Sequence, residues 1–274
     1  MIDLKTFYDE HPINETEILD KLAADGIPES AVGPEHLSRY DQDHYGGLAA
    51  TDALVDILGI EADMRVLDIC SGMGGTSRYL AYRYGASVVG IDLNESRVAG
   101  ARRLTGLVDL DHMVTFQVGD AADLDFPEAS FDRAICQEAF LHVADKEAAI
   151  GGCHRVLKSG GGFGFTDWIA TDRLDERARS IFAETFAAPR SIGLAEYGAL
   201  LEAAGFVHVQ ARDLSAEWKG ILTERLEMFR SLEKETVSRF GQDRFDTYIR
   251  NYEFFVQQID AGALGGGRFG AWKP

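Results

Sequence analysis

The sequence has few basic residues for its length, and it has few cysteines. Lys and Arg total 27 of 274 residues against 45 Asp and Glu, which gives a formal net charge of −18. A chain of this charge, with no local Lys/Arg cluster, would repel a phosphate backbone, so we expect no nucleic-acid partner. The three cysteines, Cys70, Cys136 and Cys153, lack the spacing of metal ligands. We therefore expect no metal site, and a reducing compartment suits these thiols.

Long apolar runs are also missing. No stretch approaches the roughly 18 apolar residues that a membrane helix needs, and residues 1–5 are too polar for a signal peptide. The sequence therefore predicts a cytoplasmic protein without a membrane partner. With 46% hydrophobic residues the chain can form a sizeable core, so we expect one large domain with additions. The oligomeric state does not follow from the sequence, and a homodimer stays an open alternative.

Strand-like and helix-like segments alternate from residue 65 onwards. The predicted strands are 65–70, 86–92, 113–118, 131–136 and 162–168, and the predicted helices between them are 76–84, 95–107 and 146–157. Parallel neighbours need crossover connections, so this alternation predicts an α/β fold with a parallel sheet covered on both faces. Ligands of such sheets bind at the carboxyl ends of the strands. The segments that follow the strands are therefore expected to meet in space.

Additions flank this core on both sides. Residues 1–62 are predicted to form an N-terminal helical extension, and residues 63–168 the cofactor-binding core. Residues 169–274 are predicted to form helical cap elements together with the last two strands, 206–211 and 268–273. Two long helical stretches between those strands carry apolar residues on one face. Core packing accounts for most of these residues, and their position suits a lid over a bound ligand.

The most informative stretch is the glycine-rich turn after the first strand. Gly72 and Gly74 let the backbone pass close to a ligand, and Asp92 follows at the separation of a carboxylate that binds a ribose diol. Two further residues favour S-adenosylmethionine over a dinucleotide. Ser77 replaces the third glycine of the dinucleotide fingerprint, and the charge of Asp68 would oppose a pyrophosphate while suiting an ammonium group.

Two other loops are candidates for the same site. Asp120 and the backbone amide of Ala121 follow the third strand, where they can read an adenine edge. The loop 41–47 precedes the helix that leads into the first strand, and Tyr45 is expected to reach the ligand from it. The alternative for this loop is an ordinary solvated helix N-terminus.

Five segments together resemble a known superfamily. These are VLDICSGMG at 66–74, GID at 90–92, GDA at 119–121, SFD at 130–132 and RVLKSGG at 155–161. Their order and spacing resemble class I S-adenosylmethionine-dependent methyltransferases over roughly residues 60–170. QEAFLH at 137–142, followed by DK at 145–146, looks like the sarcosine/dimethylglycine N-methyltransferases, which have Asp where Glu138 stands. The chain end, residues 262–272, is similar to theirs, and small-molecule O-methyltransferases of natural-product pathways are less similar.

The resemblance implies a fold, a cofactor and a set of site residues. The implied fold is a Rossmann-like seven-stranded class I methyltransferase sheet with a helical lid before the last strand. Asp68 would contact the amino group of S-adenosylmethionine through water, and Asp92 would bind the ribose. Gln137 would line the floor of the site near the sulfonium. The residues expected at the cofactor are Tyr45, Asp68, Ser71, Gly72, Met73, Gly74, Asp92, Leu93, Asp120, Ala121 and Gln137. The product would be S-adenosylhomocysteine.

Methyl transfer mainly needs a nucleophile that is held close and aligned with water excluded. His142 and Asp167 follow adjacent strands, so we expect them to form a catalytic His–Asp pair at the acceptor. His142 as a structural hydrogen-bonder, and Asp167 as a charge that orients an amine, are the alternatives.

The sequence therefore predicts a small-molecule methyltransferase, with an amine of the sarcosine or dimethylglycine kind as the leading acceptor. O- or C-methylation in a natural-product pathway is the alternative reaction. A catalytically silent S-adenosylmethionine-binding protein is the alternative of another class, and the pattern disfavours an NAD-dependent oxidoreductase. The acceptor itself does not follow from the sequence.

Overall fold

A computed structural model describes Tyr8 and residues 13–274. The part of the predicted N-terminal extension that falls on residues 1–7 and 9–12 lies outside the described residues. The strands are β1 Arg65–Ile69, β2 Ser87–Asp92, β3 Val114–Val118, β4 Phe131–Gln137, β5 Leu157–Ala170, β6 Val207–Asp213 and β7 Leu264–Trp272. They form one seven-stranded sheet in the order β3-β2-β1-β4-β5-β7-β6.

The sheet is parallel except at one strand. β1 pairs in parallel with β2 and β4, and β4 pairs in parallel with β5. β7 is antiparallel to both of its neighbours, β5 and β6. The chain order reverses beside β1, since β2 and β3 lie on one side of it and β4 on the other. The predicted Rossmann-like α/β sheet is confirmed, and its switch in strand order marks the edge where a ligand is expected.

The helices fall close to the predicted ranges. They are α1 Glu15–Ala24, α2 Pro34–Leu37, α3 Gly47–Leu58, α4 Gly75–Tyr84, α5 Glu95–Leu107, α6 Lys146–Val156, α7 Glu176–Thr185, α8 Leu194–Ala203, α9 Ser215–Ser231, α10 Glu233–Phe240 and α11 Gln242–Asp260. Single 3₁₀ turns lie at Glu29–Ala31 and Phe140–His142. Polar caps explain several starts: the side chains of Asn14, Asn94 and Asp145 accept backbone N–H groups at the beginnings of α1, α5 and α6.

Three apolar clusters hold these layers together. Helices α1, α3, α4 and α5 cover one face of the sheet, and α6 and α8 cover the other. The third cluster joins Trp168, at the end of β5, to Phe182, Trp218 and Phe255 of the helices α7, α9 and α11. The late helices are therefore packed over the carboxyl end of β5. That placement brings them close to the expected ligand edge.

Two strands begin earlier than the sequence pattern predicts. β5 starts at Leu157 rather than at residue 162, and β7 starts at Leu264 rather than at residue 268. The glycines at the start of β7 read as a loop, but they permit close packing by α9. A Cβ at Gly266 would lie 2.3 Å from a ring carbon of Trp218. Glycine inside a strand thus marks a close approach of another element.

Tyr8 and residues 13–274 show neither a membrane-spanning helix nor a metal-binding cluster. No helix there is long and apolar enough to cross a bilayer. No group of three or more His, Cys, Asp or Glu side chains in that part could hold a metal ion.

Candidate functional site

A cavity of about 390 Å³ opens at the carboxyl ends of β1, β2, β3 and β4. Its lining residues are Tyr8, Asp41, Asp43, His44, Cys70, Ser71, Gly72, Met73, Gly75, Thr76, Asp92, Leu93, Asn94, Arg97, Gly119, Asp120, Ala121, Ala122, Gln137, Glu138, Ala139, His142, Val143, Ala144 and Asp145. The strand ends of β1 to β3 form one end, which we call the cofactor end. Tyr8, Asp43, His44, Glu138 and His142 form the other, which we call the acceptor end; Tyr8 and Asp43 border the cofactor end, because both contact Arg97, whose guanidinium lies beside Gly72.

Asp92 organises the cofactor end. Its Oδ2 accepts the N–H of Gly72 at 2.9 Å, and its Oδ1 accepts the N–H of Asn94 at 2.9 Å. Burial raises the pKa of this carboxyl. Cys70 and Gly72 have φ angles of 58° and 53°, in the left-handed region that normally favours glycine. The turn is therefore held open by backbone geometry and by a carboxylate that also faces the cavity.

The turn leaves little room for side chains beneath it. A Cβ at Gly74 would lie 2.4 Å from the ring of Phe116, and one at Gly72 would lie 2.9 Å from the guanidinium of Arg97. Gly74 is thus required by packing as well as by its positive φ angle, and Gly72 is favoured by its positive φ angle.

Five of the other residues expected at the cofactor end line the cavity, whereas Gly74 does not. Leu93 is 41% exposed there, and Asp120 accepts the N–H of Ala122 at 2.9 Å through Oδ1. Ser71, Met73 and Ala121 also line the cavity. Their roles toward the individual groups of a cofactor stay predictions.

Gln137 tests whether this end suits the predicted cofactor. Its Oε1 accepts hydrogen bonds from the hydroxyls of Thr51 and Thr76, at 3.1 and 2.8 Å. Its Nε2 is buried in the cavity wall and has no partner in the described part of the chain. A buried donor without a partner is costly, so a ligand oxygen there would relieve it. Together with Asp92 and the glycine turn, Gln137 fits S-adenosylmethionine.

The structure corrects the position expected for Asp68. This residue is 3% exposed and does not line the cavity. Its Oδ2 accepts the Ser77 hydroxyl at 2.5 Å, and burial raises its pKa to about 7. Asp68 therefore joins β1 to α4 behind the turn. The physical reason is strand alternation, which turns this side chain toward the helix and away from the ligand edge.

The structure also corrects the position expected for Tyr45. Its ring lies edge-on to Trp168 and Trp218, with centroid separations of 5.8 and 4.9 Å, and does not line the large cavity. The guanidinium carbon of Arg225 lies 4.7 Å from the centre of the same ring. An aromatic ring gains more from this apolar cluster than from a polar cavity. The loop 41–47 does reach the ligand edge, but through its residues Asp41, Asp43 and His44.

The expected pair of His142 and Asp167 does not form, and this is a third correction. The carboxylate of Asp167 is fully buried and accepts the N–H of Leu141 at 3.0 Å and the hydroxyl of Tyr197. Burial raises its pKa to about 6. Lys146 is also fully buried and donates to the carbonyls of Phe140 and Val143, at 2.6 and 2.8 Å. These two charges thus position the 3₁₀ turn that carries His142.

His142 has a different partner at the acceptor end. Its Nε2 lies 2.8 Å from the hydroxyl of Tyr8, and its Nδ1 lies 3.0 Å from the carbonyl oxygen of Ala187. A carbonyl can only accept, so Nδ1 donates to Ala187, and in the neutral form of the ring Nε2 accepts from the hydroxyl of Tyr8. Burial raises the pKa of Tyr8 well above its usual value, which keeps its hydroxyl protonated. Nothing in the sequence pattern around Tyr8 could have revealed this contact across 134 residues.

Glu138 supplies a further carboxyl group to the lining of the cavity. Its φ of 53° is unusual for a residue with a side chain, and strain of this kind is often found at functional sites. Its Oε1 accepts the N–H of Tyr45 at 2.6 Å, and its own N–H donates to the carbonyl of Thr166 at 2.7 Å. Desolvation raises the pKa of Glu138 well above its usual range. The carboxyl of Glu138 therefore favours its neutral form until a cationic ligand pairs with it and stabilises the carboxylate.

Two arginines hold the loop that covers the cavity. Arg78 and Asp41 form a buried ion pair at 2.8 Å, and Arg97 contacts Asp43 at 2.6 Å. The guanidinium of Arg97 also lies over the ring of Tyr8, 4.7 Å from its centre. These contacts join the N-terminal part of the chain to α4 and α5, and they close the cavity on one side.

Comparisons with known proteins address the domain and the fold. Residues 67–165 match the family model described as a methyltransferase domain. The chain is 29% identical over 255 residues to phosphoethanolamine N-methyltransferase 1 of Zea mays, a match that covers 91% of this chain and 50% of that protein. It is 36% identical over 148 residues to the sterol 24-C-methyltransferase of Yarrowia lipolytica, covering 52% of this chain and 38% of that protein. The chain thus spans half or less of the length of these curated relatives.

Solved structures show the same fold. Phosphoethanolamine N-methyltransferase 2 of Haemonchus contortus, in complex with phosphomonomethylethanolamine and S-adenosylhomocysteine, has a TM-score of 0.80 at 22% identity, covering 100% of this chain and 61% of that one. A putative sarcosine dimethylglycine methyltransferase from Galdieria sulphuraria has a TM-score of 0.76 at 18% identity. The match covers 94% of this chain and 98% of that one.

Proposed function

We propose that this chain, which carries the class I S-adenosylmethionine-dependent methyltransferase domain predicted from its sequence, transfers a methyl group to a small cationic amine. The match of residues 67–165 to a methyltransferase domain supports the predicted superfamily and its cofactor, S-adenosylmethionine. The amine as acceptor is our inference from the acceptor end of the cavity.

The charge of the cavity carries this proposal. Six of its lining residues are carboxylic acids: Asp41, Asp43, Asp92, Asp120, Glu138 and Asp145. Arg97 is the one Lys or Arg among the lining residues that the structure describes, and it contacts Asp43. A poorly hydrated carboxylate such as Glu138 attracts a cation far more strongly than an exposed one does. An ammonium group therefore suits the acceptor end better than a neutral or anionic group.

Residues at the acceptor end can prepare such an amine for attack. The bound cofactor supplies a methyl group that is already electrophilic. Glu138 binds and orients the ammonium form. The amine must lose a proton before its lone pair can attack, and His142 Nε2 can take that proton through the hydroxyl of Tyr8, which lies 2.8 Å away. The two arginine–aspartate pairs hold the loop 41–47 against the cavity, which helps to keep the reacting groups aligned.

Sarcosine and dimethylglycine stay the leading acceptors within this class. The phosphoethanolamine enzymes among the relatives also methylate an amine, which supports N-methylation in general. The phosphate of phosphoethanolamine and the carboxylate of sarcosine both need a cation, which the described lining of this cavity offers only as the paired Arg97; the doubly charged phosphate needs it more. A hydroxyl acceptor is the second candidate, because the Tyr8–His142 pair could remove its proton as well.

A methyl-transfer screen tests the proposal. Purified protein and S-adenosylmethionine are incubated with glycine, sarcosine, dimethylglycine, simple methylamines, phosphoethanolamine and phenols, and S-adenosylhomocysteine is measured. We expect turnover with at least one amine and none with the phenols. Calorimetry with S-adenosylhomocysteine in parallel reports whether the cofactor binds. Tight cofactor binding with turnover of phenols alone would contradict the amine proposal and favour the second candidate.

A further inference from the structure

A second, smaller cavity of about 130 Å³ lies behind Tyr45. Its floor is formed by Thr166 of β5 and Arg268 of β7, and its walls by the start of α3 and the start of α9. The ring of Tyr45 forms part of the wall, while the backbone N–H of the same residue binds Glu138. This cavity is therefore a neighbour of the acceptor end and not a part of it.

The floor belongs to a polar row that crosses the sheet. Gln137, Thr166, Arg268 and Arg212 are direct register partners on the neighbouring strands β4, β5, β7 and β6. Residues directly opposite each other on neighbouring strands point to the same face of a sheet. Gln137 faces the large cavity, and the next two members of the row face the small one. The row thus runs from one cavity into the other.

The floor contains two donors that lack partners. The Thr166 side chain is 2% exposed, and its hydroxyl has no hydrogen-bond partner among the described residues. The Nε of Arg268 is buried and likewise has no partner there. A buried donor without an acceptor is costly, so such atoms usually mark a bound water, ion or ligand.

The charges around the small cavity favour an anion. Glu217 is the carboxylate in its wall, and the guanidinium of Arg212 lies 2.6 Å from it. Burial and the nearby Arg212 lower the pKa of Arg268. The charged guanidinium is therefore destabilised where it lies. Glu217 is exposed and already paired with Arg212, so the guanidinium of Arg268 has no carboxylate partner of its own in the described part of the chain, and a small anion could neutralise it.

We propose that this cavity binds a small oxyanion, a carboxylate or a phosphate, between the guanidinium of Arg268 and the hydroxyl of Thr166. A fork of guanidinium N–H groups suits the oxygens of either group. The anion comes from one of two sources: a free ion in solution, or the carboxylate end of an acceptor whose ammonium group lies at Glu138. The carbonyl of Thr166 accepts the N–H of Glu138 at 2.7 Å, so the anion site and the acceptor end share a contact.

Direct binding measurements test the site without any need for turnover. Inorganic phosphate and sodium acetate are titrated separately into the full chain at constant ionic strength, by calorimetry and by tryptophan fluorescence, since Trp218 lines the cavity. We expect saturable binding that weakens at least tenfold in Arg268→Met and several-fold in Thr166→Val. Arg230→Met is the matched control, because Arg230 is an exposed arginine paired with Glu253 at 2.7 Å. Equal binding by the wild type and Arg268→Met, or no saturable binding by the wild type, overturns the proposal.

Kinetics separate the two sources once an acceptor is known. If the acceptor supplies the anion, Arg268→Met raises KM for a carboxylate-bearing amine but not for an amine without one, and acetate competes with the acceptor. If the anion is free, both KM values stay unchanged in the absence of acetate and acetate does not compete. The binding titrations do not depend on methyl transfer, so failure of the proposed function leaves this test intact.

Discussion

The two ends of the large cavity are built from different kinds of chain segment. The cofactor end comes from the turns after three consecutive strands, within residues 70–122, and its main contacts are between Asp92 and nearby backbone N–H groups. The acceptor end combines Tyr8, the loop 41–47 and the segment 137–142. The cofactor end is thus formed by local turns, whereas the acceptor end depends on the packing of distant segments. Substitutions at the two ends should therefore have separable effects.

Glu138→Gln should have the largest effect, and it should be confined to the acceptor end. The change removes the charge that binds the ammonium group while keeping the side-chain volume. We expect kcat/KM for the amine to fall about 1000-fold, which corresponds to about 4 kcal/mol for a poorly solvated ion pair. The affinity for S-adenosylhomocysteine, measured by calorimetry, should stay within twofold of the wild type. Glu128→Gln, at an exposed turn, is the control, and a matching loss of cofactor affinity in Glu138→Gln would contradict the separation.

Asp92→Ala should produce the reverse pattern. The variant removes a carboxylate from the cofactor end and leaves the N–H groups of Gly72 and Asn94 without their acceptor. We expect the dissociation constant of S-adenosylhomocysteine to rise about 100-fold, or about 3 kcal/mol. Asp56→Asn, an exposed carboxylate on α3, serves as the control in the same calorimetric titration. Binding within twofold of the wild type would remove Asp92 from the site.

Tyr8→Phe should have a smaller effect, again at the acceptor end. The phenylalanine keeps the ring over Arg97 but removes the hydroxyl that lies 2.8 Å from His142 Nε2. We expect kcat to fall about tenfold to a hundredfold, with little change in cofactor affinity, because one proton-transfer partner is lost. His142→Ala and the double variant complete the cycle. The two losses should be less than additive if the side chains act together, and additive losses would show that they act separately.

Asp68→Asn should affect ligand binding least, since this side chain lies behind the turn. Its pKa of about 7 in the folded chain exceeds the usual value near 3.8, so the folded state binds a proton more tightly. The stability that this protonation contributes is present below about pH 4 and is lost as the pH rises to about 7, at roughly 1.4 kcal/mol per unit of pKa shift. The free energy of unfolding, measured with denaturant, should therefore decline less with rising pH in Asp68→Asn than in the wild type. Asp56→Asn is the control, and an unchanged pH dependence in Asp68→Asn would contradict the assignment.

Sequence patterns predicted most of the fold and most of the residues at the cofactor end of the cavity. The seven strands and the helices between them were placed within a few residues, apart from the early starts of β5 and β7. Asp92, Leu93, Asp120 and Gln137 line the cavity as expected. Asp68 and Tyr45 do not line it, and Asp167 is fully buried with Tyr197 as a partner. These three residues lie on the strands and the loop that the sequence predicts. The direction of each side chain, however, depends on what packs against it.

The sequence by itself determined the parallel sheet, the ligand edge and the turn that suits S-adenosylmethionine. These features arise from contacts between residues close in the chain, where alternation, glycine positions and strand-end carboxylates leave a readable pattern. Only the tertiary structure decided that Tyr8 is the partner of His142, that Glu138 faces the acceptor end, and that Lys146 and Asp167 support the turn between them. Such contacts join residues as far as 134 positions apart. No local pattern encodes them, because they form when distant segments pack together.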